Sequence, residues 1–72
     1  MSELRRLTWC QNLTEAEMIA AFLLEEGIRV LVRRAPGVDV PDFLAAGPRL
    51  LLVRDDDHAR AAELVESHFG LR

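Results

Sequence analysis

The apolar residues of this 72-residue chain switch spacing three times, from a period of two to the helical 3.6, back to two, and back to 3.6. Any fold must be assembled from those segments in that order. Leu4-Arg5-Arg6-Leu7-Thr8-Trp9 reads as a strand in which Leu7 and Trp9 share a face. Asn12-Leu13-Thr14-Glu15-Ala16-Glu17 then opens a helix. Asn12 with Glu15, or Thr14 with Glu17, fits a capping box, in which a side chain accepts from an orphan N–H and a Glu reaches back. Ala16, Ile19, Ala20 and Leu23 follow at helical spacing, widened by Met18 and Phe22. Gly27 stops the helix, because glycine takes the left-handed conformation without a steric penalty.

Ile28-Arg29-Val30-Leu31-Val32-Arg33 is a β-branched, alternating strand. Ile28, Val30 and Val32 are expected to face the helices, which turns Arg29, Leu31 and Arg33 outward. The 34–48 stretch is rich in proline and glycine and reads as a long connection. Pro41 is placed to open one helical turn there, and Phe43 and Leu44 are its apolar anchors. Arg49-Leu50-Leu51-Leu52-Val53-Arg54 is a third strand, apolar on both faces, so either Leu50 and Leu52 or Leu51 and Val53 point away from the helices. Asp55-Asp56-Asp57 supplies negative charge at the start of a second helix, Ala61, Ala62, Val65 and Phe69 its inner stripe, and Gly70 its stop.

The length allows one domain, 1–72. So small a domain buries a modest share of its surface and often needs a disulfide, a metal or a partner. Cys10 is the only cysteine, which removes an internal disulfide and points to a reducing compartment. No apolar run approaches the ~20 residues of a membrane span. No signal peptide opens the chain, and Met1-Ser2-Glu3 reads as a cytoplasmic start. Self-association is the expected support. The formal charge of −3 makes nucleic acid an unexpected partner. All nine basic residues are Arg, which suits bidentate anion contacts but follows equally from codon usage in a G+C-rich genome.

The order β-α-β-β-α predicts an α+β, open-faced ferredoxin-like sandwich lacking its last strand: a three-stranded antiparallel sheet with two helices on one face. In that order the first strand loses its outer neighbour and becomes an open edge, guarded by Arg5 and Arg6. The helix-free face presents Arg29, Leu31, Arg33 and two aliphatic residues of the third strand. Seven of the nine Arg lie on or beside the strands, and most acids on or beside the helices. An Arg-rimmed aliphatic patch of this kind marks a binding surface.

Several segments also resemble one family. They are Asn12 to Glu17, Leu23-Leu24-Glu25-Glu26-Gly27-Ile28, the 34–48 loop, Leu50 to Asp57, and Ala59-Arg60-Ala61-Ala62-Glu63-Leu64-Val65. The family is a small bacterial domain family of unknown function described as signal-transducing proteins, and the resemblance spans residues 5–69. Its members are similar in fold to the PII nitrogen-regulatory (GlnB-like) proteins, trimers that bind nucleotide between subunits. The resemblance implies a GlnB-like, ferredoxin-like fold and a regulatory role, with the 34–48 loop in the place of the PII regulatory loop. This chain is shorter than PII and has no Gly-rich phosphate cradle.

Catalytic chemistry is not expected. Asp55, Asp57 and His58 have ligand chemistry, but they sit at a helix start where acids answer the dipole, and no second His/Cys group lies nearby in sequence. No metal or cofactor is assigned. His68 answers the dipole at the other end of that helix. Cys10 lacks a paired base and reads as a structural thiol. Asn12, Glu15 and Glu17 are explained by capping. An RNA platform on this face would need strand aromatics, and Trp9 alone supplies one. Two functions follow: a non-catalytic regulatory or protein-interaction module using Arg29, Leu31 and Arg33, as a homo-oligomer or with a partner at the sheet face and first-strand edge; or a small-anion sensor using Arg33, Arg34 and Arg49 at the base of the 34–48 loop.

Overall fold

A computed structural model describes residues 3–34 and 47–70. The elements run β1 (Leu4–Cys10), α1 (Leu13–Glu25), β2 (Val30–Arg34), β3 (Arg49–Arg54), a 3-10 turn (Asp55–Asp57) and α2 (His58–Phe69). The sheet order is β1-β3-β2, with β3 antiparallel to both neighbours. This α+β layout, an open antiparallel sheet with two helices, is compatible with the ferredoxin-like arrangement. The Pro41 turn and the Phe43 and Leu44 anchors lie outside the described residues.

Local chemistry sets the helix ends. Asn12 caps α1, its Oδ1 accepting from Glu15 N–H at 2.8 Å, while Glu15 Oε1 accepts from Gln11 N–H at 3.0 Å. The reciprocal pair is therefore Asn12 with Glu15, reaching back one residue further than a standard capping box. At the other end Gly27 adopts φ +84°. Its N–H donates to Leu24 O at 3.0 Å, and Ile28 N–H donates to Leu23 O at 2.9 Å. That double closure is a Schellman motif, and its hydrophobic contact is Leu23 with Ile28, both fully buried. The motif delivers the chain into β2 with Ile28 already in the core. Gly70 ends α2 in the same left-handed region, at φ +72°.

The core lies between sheet and helices. Ala16, Ile19 and Leu23 from α1 and Ala61 and Val65 from α2 meet Cys10, Ile28, Leu51 and Val53, with Val30 and Val32 packed against them. Phe22 of α1 stacks on His68 at 4.1 Å and meets Phe69 edge-on at 5.3 Å, joining the C-terminal halves of the two helices. Met18 does not widen the inner stripe of α1, being 56% exposed on its outer side.

β1 departs from simple alternation. Its register to β3 shifts between Arg6 and Thr8, so Leu7 is the extra residue of a β-bulge. Leu7 packs against the core and Thr8 is buried, whereas Trp9 is 52% exposed. The expectation that Leu7 and Trp9 share a face therefore fails, because the extra residue resets the parity after it.

Candidate functional site

With Leu51 and Val53 in the core, the alternation of β3 turns Leu50, Leu52 and Arg54 to the helix-free face. Register then builds rows across that face. Trp9, Leu50 and Arg33 form one, and Arg6, Leu52 and Leu31 the next. Leu4 and Arg54 pair in a third, beside which Arg29 enters β2. Leu50 is 4% exposed yet stands outside the main core cluster, whereas Leu4, Trp9 and Leu31 are 49%, 52% and 39% exposed. The surface is thus a stripe of Leu and Trp bordered by Arg6, Arg29, Arg33 and Arg54, all four exposed. No carboxylate occupies these rows among the described residues. Glu17 and Glu25 sit on the outside of α1 and Glu63 and Glu66 on α2, while Glu3 and Asp55 lie at the Leu4 end of the stripe.

Arg29, Leu31 and Arg33 are brought together on this face, as the alternation of β2 predicts. Arg33, Arg34 and Arg49 are not gathered into one site. Arg34 stands opposite Arg49, in the parity of Val32 and Leu51, and Arg33 points to the other side of the sheet. Arg49 is also buried, at 6% exposure, and its Nη1 donates to Gly47 O at 3.2 Å and Pro48 O at 3.3 Å. It braces the chain entering β3. Neighbouring positions along a strand alternate in direction, so closeness in sequence at the loop base did not translate into convergence.

The β1 edge is less open than the sequence suggests. Asp55 N–H donates to Glu3 O at 2.7 Å, which makes Arg5–Val53 a closely bonded pair and Arg6–Leu52 a wide one. Arg6 therefore turns its carbonyl away from β3, and His58 Nε2 lies 2.9 Å from it. A carbonyl only accepts, so Nε2 carries the hydrogen and donates. Thr8 Oγ1 donates to the Trp9 carbonyl at 3.4 Å. Two edge carbonyls are thus engaged by the domain's own side chains. Arg5 is drawn to Asp55, Nη1 to Oδ1 at 3.1 Å, an exposed pair of small energetic weight. The role of His58 had no local signal, since 52 residues separate it from Arg6.

Cys10 is 2% exposed, and burial first, then the nearby Glu15 carboxylate, pushes its thiol up to about 11. A thiol so raised is protonated at neutral pH and is a poor nucleophile. Among the described residues no group of three or more His, Cys, Asp or Glu is placed to hold a metal ion. Two shallow grooves are present, one lined by Glu3, Leu4, Arg5 and Asp55, the other by Ala20, Ala21, Leu24, Arg29 and Val30. Neither gathers polar groups around an enclosed space. No helix among the described residues is long and apolar enough to cross a membrane.

Fold and surface together describe a small α+β domain with a helix-free, Arg-bordered apolar sheet face. Comparison with family models, curated proteins and solved structures finds no match for this chain.

Proposed function

We propose that this domain is a non-catalytic docking module with a regulatory role, and that its docking surface is the open sheet face. One observation carries the reading. The sheet's exposed large hydrophobic residues, Leu4, Trp9 and Leu31, lie on that face, bordered by guanidinium groups. Trp and Arg are the residue types that dominate binding energy at protein interfaces, and an exposed apolar patch rimmed by polar groups marks an interaction site. The engaged carbonyls of Arg6 and Trp9 favour the face over the β1 edge as the contact. The regulatory part of the reading, and a GlnB-like relationship for the fold, rest on the resemblance to the signal-transducing domain family.

Leu31 lies on the outer strand β2, in the middle row of the face, beside Leu52 of the central strand. Replacing Leu31 by Asp is expected to weaken any specific contact, with itself or with another protein, at least about tenfold, because a charge would be desolvated in the apolar stripe. The helical circular dichroism signal should stay as in the wild type. A partner held equally well by Leu31→Asp and by Arg33→Glu would place the docking surface elsewhere.

A further inference from the structure

Resting on that docking reading, we infer that the occupant of the sheet face is the outer surface of α1 on a second copy of this chain, joined head to tail. The domain's exposed large hydrophobic residues fall on just two surfaces among the described residues. Leu4, Trp9 and Leu31 lie on the sheet face, and Met18 and Leu24, 56% and 64% exposed, lie on α1. Met18, Ala21 and Leu24 follow at intervals of three, so they form one oblique ridge on the helix surface. Glu17 and Glu25, each four residues from Ala21, flank that ridge, and both are exposed.

The two surfaces are complementary in kind. One is an apolar stripe bordered by Arg6, Arg29, Arg33 and Arg54. The other is an apolar ridge flanked by the Glu17 and Glu25 carboxylates, with Arg29 across a shallow groove from Ala21 and Leu24. Seating the ridge on the stripe brings Glu against Arg at the rim and aliphatic against aliphatic at the centre. A two-fold stack of sheet face on sheet face would instead oppose the same four Arg on each side with no carboxylate in the rows between them, and like charges across an interface are costly. Because ridge and stripe are different patches of one molecule, each copy keeps one of each free. The contact is heterologous, and it propagates to a ring or an open chain unless it is capped.

The test is a mixing experiment on the full chain, read by light scattering on a sizing column. Wild-type mass is expected to rise with concentration beyond two chains. Leu31→Asp, which disables the stripe, and Leu24→Arg, which disables the ridge, are each expected to stay monomeric at concentrations at least about tenfold higher. Mixed in equal amounts they should form a species of two chains and no larger, since one intact stripe meets one intact ridge. If either variant loses the wild-type circular dichroism signal, Arg33→Glu replaces Leu31→Asp and a Glu17→Lys, Glu25→Lys pair replaces Leu24→Arg. Assembly of the ridge variant like the wild type, with the stripe variant monomeric, would overturn the inference and leave the docking surface standing. A wild-type chain that is monomeric at every concentration would overturn it too, and the docking reading would then rest on the Leu31→Asp comparison with other proteins.

Discussion

Leu51→Ala is expected to cost about 2–5 kcal/mol of stability, while Leu52→Ala, one position along the same strand, costs much less. Leu51 is fully buried at the centre of the sheet, between Thr8 on β1 and Val32 on β2, and it packs beneath both helices. Removing its isobutyl group loses transfer energy and leaves a cavity that a central strand cannot collapse around. For a small domain, with total stability of roughly 5–15 kcal/mol at most, such a loss is a large fraction of the whole. Leu52 faces away from the helices and is only half-buried, so its truncation leaves no enclosed void. Chemical denaturation of the two variants measures the difference. Equal losses would mean that the two faces of β3 are assigned wrongly, and with them the docking stripe.

The second large effect concerns pH. The Cys10 thiol has its folded value raised from the usual 9.0 to about 11, by burial first and by the Glu15 charge second. A group raised in this way contributes stability that is fully present below its unfolded value and is lost as the pH rises through its folded value. The window is therefore pH 9 to about 11, and the loss across it approaches about 2–3 kcal/mol. The chain makes this unusually clean to observe, because it contains no Tyr and no Lys to titrate alongside. The urea midpoint of the wild type should fall steadily across that window, and that of Cys10→Ala should not. A slope that persists in Cys10→Ala would assign the alkaline loss to another group.

The sequence and the structure agree most closely where local chemistry decides. Asn12 with Glu15, and Gly27 with Ile28, set the ends of α1 through contacts a few residues long, so their signals are visible in the chain itself. The alternation of β2 likewise places Arg29, Leu31 and Arg33 outward without any tertiary information. What stays hidden depends on other strands. Leu50 to Val53 are all apolar, so β3 has no readable parity of its own, and only register against Thr8 and Val32 separates its faces. The bulge at Leu7 has no composition cue, yet it reverses the direction of Trp9. Arg33, Arg34 and Arg49 look like a cluster by sequence and loop position, but a strand sends adjacent side chains to opposite faces. Met18 fits the helical stripe by hydrophobicity alone, and its exposure is what reveals a second apolar surface on α1.

Trp9 is the only tryptophan in the chain, and it lies within the proposed docking stripe, so its fluorescence tests the central claim directly. Its emission maximum and its quenching by acrylamide should be followed as protein concentration rises, with mass measured on the same samples. If the sheet face is the docking surface, the emission shifts to the blue and quenching falls as the mass increases, and neither changes in Leu31→Asp. If the mass increases while Trp9 stays as quenchable as in the dilute chain, the contact lies on another surface and the account is contradicted.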